Sequence, residues 1–330
     1  MTAKMSLNIH ALDLFKKLCE DTDKYNVTVE ETKTGATLVD AGIKADGGFL
    51  AGKVITEICL AGYGQANLSP IQYEDTVLQS VFVLTDHPAI STLASQFAGW
   101  QIKAERYSAI ASGPARALAL KPKHLYEKLN YREESEVAVL ILETEERPPE
   151  DVIVQIAEKC KVTPKNLFLV IFSTTSLAGA TQVSGRIVET GLHKLERLGI
   201  DPLKVKHAWG YAPIVPVHPS AGESMGRTND AILYGGVTNY TVDFEDEEKL
   251  EALVKQAPSS SSKMLQEARK LADKNPRFLD IFKEAGFDFY KIDPNVFAPA
   301  MVSVNNIRTG KTFRAGSLDV NVIKGSLGLL

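Results

Sequence analysis

A chain of 330 residues is long enough for one large domain or two ordinary ones, with a substantial core. With 44% hydrophobic and 24% charged residues it is neither disordered nor fibrous, and a net charge of −4 without a Lys/Arg-rich run argues against a nucleic-acid partner. No stretch of 18 consecutive apolar residues occurs, and the opening MTAKMSLNIH lacks the basic-then-apolar order of a signal peptide, so a cytoplasmic protein with no membrane contact is expected. In chain order, residues 6–20 read as a helix capped by Ser6, with Leu12, Phe15 and Cys19 on one face. Val27–Val39 reads as a hairpin turning at Lys33-Thr34-Gly35, followed by a helix over 49–60 and a strand over 75–85. Asp86 and Pro88 mark the start of a helix to about Gly99, and residues 101–109 read as one strand running into Ser112-Gly113-Pro114 and another helix. Glu136–Glu143 and Leu167–Phe172 are continuous apolar runs, as in strands covered on both faces, with a helix over 150–160 between them. A polar loop, a helix over 183–198, a long Gly/Pro/Ser-containing loop over 211–228 and a helix over 263–273 behind the Ser259–Ser262 run complete the pattern. Strands alternating with helices predict an α/β fold with crossover connections.

Cys19, Cys59 and Cys160 are odd in number and lie in apolar stretches, so reduced, buried thiols are expected. The six histidines are dispersed and none has a Cys or His neighbour at zinc-ligand spacing, so no metal is expected. The stretch Val27–Thr37 matches Val302–Thr312 without a gap in the pattern V-[ST]-V-x-x-x-[KR]-T-G-x-T. Two readings are open: convergence of strand pairs around a glycine turn, or a duplicated hairpin that places both chain ends in one domain.

Two constellations can carry chemistry. Arg186 and Glu189, three apart in SGRIVETGLH directly after the buried strand and polar loop, share one helical face with His193. A carboxylate held by a guanidinium can polarise a water molecule, yet an ordinary solvated ion pair has the same spacing. In PSAGESMGRTNDAILYGG (219–236), glycines would let backbone N–H groups approach an anion and Arg227 could grip one, while Asn229 or Asp230 could equally cap a following helix. Lys103, Glu105, Arg106 and Tyr107 either line a cleft or form an exposed strand face. Gly62-Tyr63-Gly64 follows a helix, the wrong order for a dinucleotide fingerprint, and no Walker A, G-x-S-x-G or H-E-x-x-H motif occurs.

The stretches SQFAGWQI (95–102), SGRIVETGLHKL (184–195), SMGRTNDAILYGG (224–236) and VNNIRTGKTFRAG (304–316) resemble the methenyltetrahydromethanopterin cyclohydrolases. The resemblance runs from about residue 10 to about 318, with Ser224 where a small apolar residue is expected. It implies that residues 1–330 form one chain of two α/β domains with mixed sheets flanked by helices, an active-site cleft between them, and a boundary that the sequence does not mark. It further implies a cytoplasmic homotrimer that needs no cofactor or metal and hydrolyses the 5,10-methenyl pterin carrier to its 5-formyl form. Glu189 would be the general base, Arg186 would hold it and bind the nascent formyl oxygen, and Lys103, Tyr107, Arg227 and Asn229 are candidates for contacts to substrate. A non-catalytic pterin-binding protein of the same fold, and a cyclohydrolase for a different pterin carrier, stay open as alternatives.

Overall fold

The computed structural model describes residues 6–272 and 275–329. Helix α1 (Leu7–Glu20) begins where Ser6 accepts the Ile9 N–H, and α2 (Thr22–Tyr25) follows. The hairpin of β1 (Thr28–Glu31) and β2 (Thr37–Asp40) turns through Gly35 at φ +89°, a conformation open to glycine at little cost. After α3 (Phe49–Cys59) come β3 (Gln65–Tyr73) and β4 (Thr76–Thr85). Ala89–Gln96 winds as a π-type helix and leads to β5 (Trp100–Lys103), β6 (Ser108–Ser112), α4 (Ala115–Ala119) and α5 (Lys123–Lys128). Next are β7 (Ala138–Glu143), α6 (Glu150–Cys160), β8 (Leu167–Phe172), α7 (Leu177–Ser184), α8 (Ile187–Arg197), β9 (Val205–Pro213), α9 (Ala221–Gly235) and β10 (Val237–Val242). Then come α10 (Glu247–Val254), α11 (Lys263–Ala272), α12 (Phe278–Glu284), β11 (Met301–Asn306), β12 (Thr312–Gly316) and α13 (Val320–Leu327).

These elements form two compact units. Among the described residues, one takes 6–66 and Ala89–Gln182; the other takes Asn67–Pro88 and those described from Val183 onward. The first is built on a mixed six-stranded sheet in the order β1-β2-β8-β7-β6-β5, with β2, β8 and β7 parallel. The period of two along β7 and β8 explains their unbroken apolar runs. Leu140, Leu142, Leu169 and Ile171 meet Val152, Ile153 and Ile156 of α6 in one core. Val139, Ile141, Val170 and Phe172 meet Phe15 of α1 and Ile55 and Ile58 of α3 in another. Each such side chain contributes roughly 1.5–3 kcal/mol when fully buried.

The second unit is built on a mixed six-stranded sheet in the order β12-β11-β10-β9-β4-β3, in which β10 and β11 run parallel. An aromatic-rich core joins Leu233 and Tyr234 of α9, Phe278, Ile281 and Phe282 of α12, and Val320 and Ile323 of α13. The molecule is α/β, with helices flanking both sheets.

Several elements depart from the sequence reading. The matching stretches 27–37 and 302–312 are not a duplicated hairpin that brings the two ends together. They sit in different sheets and different units, and their strands exchange roles: β1 is an edge strand in its sheet, whereas β11 lies inside and β12 is the edge. What they share is local turn chemistry, with Gly35 and Gly310 both at positive φ. Residues 101–109 are not one strand; β5 and β6 pair antiparallel across Ala104–Tyr107, where the Ala104 N–H meets the Tyr107 carbonyl at 2.9 Å. The helix expected over 183–198 is broken at Gly185-Arg186, and the polar loop before it is largely α7. Half of the loop expected over 211–228 belongs to α9, whose N-cap is Ser220 and not Asn229 or Asp230.

Candidate functional site

Strand β8 delivers the chain into α7, which stops at Ser184, where the hydroxyl donates to the Pro213 carbonyl at 2.7 Å. Arg186 is the N-cap of α8, and Glu189 is the third residue inside it. A carboxylate in a first helical turn is favoured by the exposed backbone N–H groups and the positive end of the helix dipole. The guanidinium closes on it from outside the helix: Arg186 Nη2 donates to Glu189 Oε2 at 2.6 Å and Nε to the same oxygen at 3.1 Å. Among the described residues none donates to Oε1, so that oxygen keeps its lone pairs for another donor.

The pair is not a solvated surface contact. The Arg186 side chain is 12% exposed and that of Glu189 3%. Burial changes the energetics: a surface ion pair contributes about 0–1 kcal/mol, while removing one member of a buried pair costs about 3–5 kcal/mol by stranding the other charge. The first turn of α8 reaches this depth because its neighbours are small. A Cβ on Gly210 of β9 would stand 3.4 Å from Ile187 Cγ1 and 2.7 Å from the Val237 carbonyl oxygen, and one on Gly236 would stand 2.5 Å from Ile187 Cδ1. His193, one turn beyond Glu189, is partly buried; burial lowers its pKa against the opposing pull of Glu189 and Glu196.

The second constellation resolves differently. Ser220 accepts the Glu223 N–H and starts α9, so Arg227, Asn229 and Asp230 all lie within a helix. Arg227 is partly buried and Nη1 donates to the Pro216 carbonyl at 3.3 Å, a loose hold on the preceding loop. Asn229 is buried and spends its amide on the Met225 carbonyl at 2.9 Å. Asp230 is fully buried and accepts the Phe278 N–H at 2.7 Å and the Ser326 hydroxyl, tying α9 to α12 and α13. Burial pushes its carboxyl up to about 7, against those bonds and the Arg277 guanidinium 3.6 Å away.

The model of a family described as cyclohydrolase (MCH) matches residues 6–327. The chain belongs to this cyclohydrolase family. It is 43% identical to the methenyltetrahydromethanopterin cyclohydrolase of Methanothermobacter marburgensis over 328 residues, covering 98% of this chain and 100% of that protein. Identity to the enzyme of the same name from Methanocaldococcus jannaschii is 43% over 327 residues, 98% of each chain. For that of Methanococcoides burtonii it is 38% over 325 residues, 98% of this chain and 99% of the relative.

In this cyclohydrolase the two remaining residues singled out from the sequence lie in the other unit. Lys103 is exposed at the end of β5. Tyr107 is 3% exposed and packs in the core with Trp100 and Ile102, so burial pushes its hydroxyl up to about 12. Arg186, Glu189, Arg227 and Asn229 share one unit, and the structure brings Arg186 and Glu189 into direct contact. A pocket of about 790 Å³ in the first unit, lined by Ile9, Leu12, Leu118, Glu133 and Cys160 among others, contains none of the candidate site residues Lys103, Tyr107, Arg186, Glu189, Arg227 and Asn229. Among the described residues of the cyclohydrolase no group of three or more His, Cys, Asp and Glu side chains is placed to hold a metal ion, and no helix is long and apolar enough to cross a membrane.

Proposed function

We propose that this cyclohydrolase hydrolyses 5,10-methenyltetrahydromethanopterin to the 5-formyl derivative, with Glu189 as the general base and Arg186 as its holder. The observation that carries this reading is the buried Arg186–Glu189 pair, in which two of the three guanidinium nitrogens converge on Oε2 and leave Oε1 to accept from a water molecule. The methenyl carbon belongs to an amidinium cation and is already electrophilic, so the reaction calls for an oriented, deprotonated water more than for a Lewis acid. Glu189 Oε1 takes one proton as the water oxygen bonds that carbon, giving a neutral carbinol. The carbinol O–H then loses its proton, the carbon–N10 bond breaks, and N10 acquires a proton. One C=O and one N–H are formed, and one proton is released per turnover. Proton transfer by a positioned carboxylate contributes typically about 10²–10⁴-fold, and Arg186 can also donate to the developing formyl oxygen. Lys103, Arg227 and Asn229 are proposed contacts to the rest of the substrate, and the active protein is proposed to be a homotrimer.

The test follows the decay of the methenyl chromophore on mixing purified protein with methenyltetrahydromethanopterin, with methenyltetrahydrofolate in parallel. Loss of only the methanopterin signal, reduced at least 10²-fold in Glu189→Gln with KM nearly unchanged, is the expected result. Near-wild-type turnover of the variant would remove Glu189 from the chemistry. No acceleration with either carrier would turn the protein into a pterin binder, and preference for the folate would change the carrier.

A further inference from the structure

The first turn of α8 is fastened at two backbone carbonyls just ahead of Glu189, those of Arg186 and Val188. Tyr240 of β10 is fully buried, and its hydroxyl donates to the Val188 carbonyl at 2.8 Å. The Thr190 hydroxyl donates to the Arg186 carbonyl at 3.0 Å, beside the Thr190 N–H at 2.9 Å. Gly191 makes room for the first of these bonds: a Cβ there would run into the Tyr240 hydroxyl and stand 3.0 Å from Pro299 Cγ. A fully buried tyrosine is not explained by packing alone. A phenylalanine would fill the same volume without burying a hydroxyl, and a buried hydroxyl is tolerated only where it finds a partner. Here the hydroxyl lies beside the Thr238 side chain and the Leu192 backbone, and the carbonyl that accepts its proton is that of the peptide joining Val188 to Glu189.

We propose that Tyr240, seated in the space that Gly191 leaves for its hydroxyl, is a positioning residue for the hydrolytic reaction, setting the depth and rotation of the turn that carries Glu189. The inference rests on the reading of Glu189 as the base. The geometry gives it mechanical sense: the carboxylate is three bonds of side chain away from a backbone held at Arg186 and at Val188, so a shift of that backbone moves Oε1 directly. Misplacement of a reacting group by about 1 Å can cost about 10²-fold in rate.

The experiment compares Tyr240→Phe, Thr190→Val, Glu189→Gln and the double variant Tyr240→Phe/Glu189→Gln in the chromophore assay, with Tyr126→Phe as a control. Tyr126 is a buried tyrosine of the first unit whose hydroxyl also donates to a backbone carbonyl, that of Ala94, at 2.9 Å. Tyr240→Phe is expected to lower kcat about tenfold with KM within about twofold, and Thr190→Val to do the same in smaller measure. Tyr126→Phe should leave kcat unchanged, and adding Tyr240→Phe to Glu189→Gln should cost nothing more, because a base that is gone cannot be misplaced. Wild-type kcat in Tyr240→Phe overturns the proposal, as does an equal further loss in the double variant, which would mark a general structural effect. Should Tyr240→Phe fail to fold, Thr190→Val carries the same comparison. Wild-type activity of Glu189→Gln would overturn the reading of the base itself and is distinguishable from either result.

Discussion

Glu189 and Asp230 are both buried carboxylates of the second unit, and the fold treats them in opposite ways. Glu189 is gripped through two nitrogens of one guanidinium. Asp230 receives a backbone N–H and a serine hydroxyl, while the nearest Arg277 nitrogen stands off at 3.6 Å. Burial dominates and raises its pKa to about 7. Because the folded value lies above the unfolded one of about 3.9, the folded state keeps a proton that the unfolded chain has already lost. The contribution to stability is therefore complete below about pH 4 and declines as pH rises towards 7, by an amount on the order of a few kcal/mol. Urea midpoints measured from pH 4 to 8 should fall less steeply in Asp230→Asn than in the wild type. Parallel curves would assign the decline to other groups.

At the scale of elements, the seat of α8 is set by glycines on its neighbours. An alanine at Gly210 would push a methyl to 2.7 Å from the Val237 carbonyl oxygen and 2.9 Å from Thr238 Cγ2, with Ile187 next in line. Overpacking of this kind typically costs about 1–3 kcal/mol. Gly210→Ala is expected to lower Tm by several degrees and also kcat, since Ile187 opens the turn that bears Glu189; a Tm loss at full kcat would separate the seat from the chemistry. The same packing sets how much of the site is legible in the sequence. The spacing of Arg186 and Glu189 was legible, but an ion pair on a solvated helix has that spacing too, and the burial that distinguishes this one comes from Gly210, Gly236 and Tyr240, far along the chain. Ser6 and the apolar runs of β7 and β8 were legible because their causes are local or periodic. Strand β3 was hidden by Pro70, which an edge strand tolerates because one row of its N–H groups has no ladder partner. The first half of α9 looked like a loop because of Gly222 and Gly226, yet Gly226 is required by packing: a Cβ there would meet Leu279 Cβ at 2.9 Å. The turn at Ala104–Tyr107 carries no Gly or Pro, so nothing in the local sequence separates β5 from β6.

At the scale of the whole molecule, the proposed homotrimer has a simple measurement. One face of the second sheet carries Trp209, 40% exposed, with the Phe82 ring 6.0 Å from its own, an apolar surface of the kind common at the centre of subunit contacts. Light scattering after size exclusion should return three times the 36.0 kDa of one chain at assay concentration, and a single-chain mass would dismiss the trimer.

The division of the chain has a consequence for how the protein is made. Asn67–Pro88 belongs to the second unit, yet it leaves the ribosome in the middle of the first. Strand β4 finds its partner β9 only when Ala208–Pro213 emerge. At about 5–20 residues per second that is a wait of roughly 6–25 s. Throughout that interval β4 offers an unsatisfied row of N–H and C=O groups, the kind of edge on which neighbouring nascent chains can pair. The yield of soluble protein should therefore depend on how quickly residues 89–204 are translated, and synonymous codons that slow this stretch would act on a sheet to which most of it does not belong.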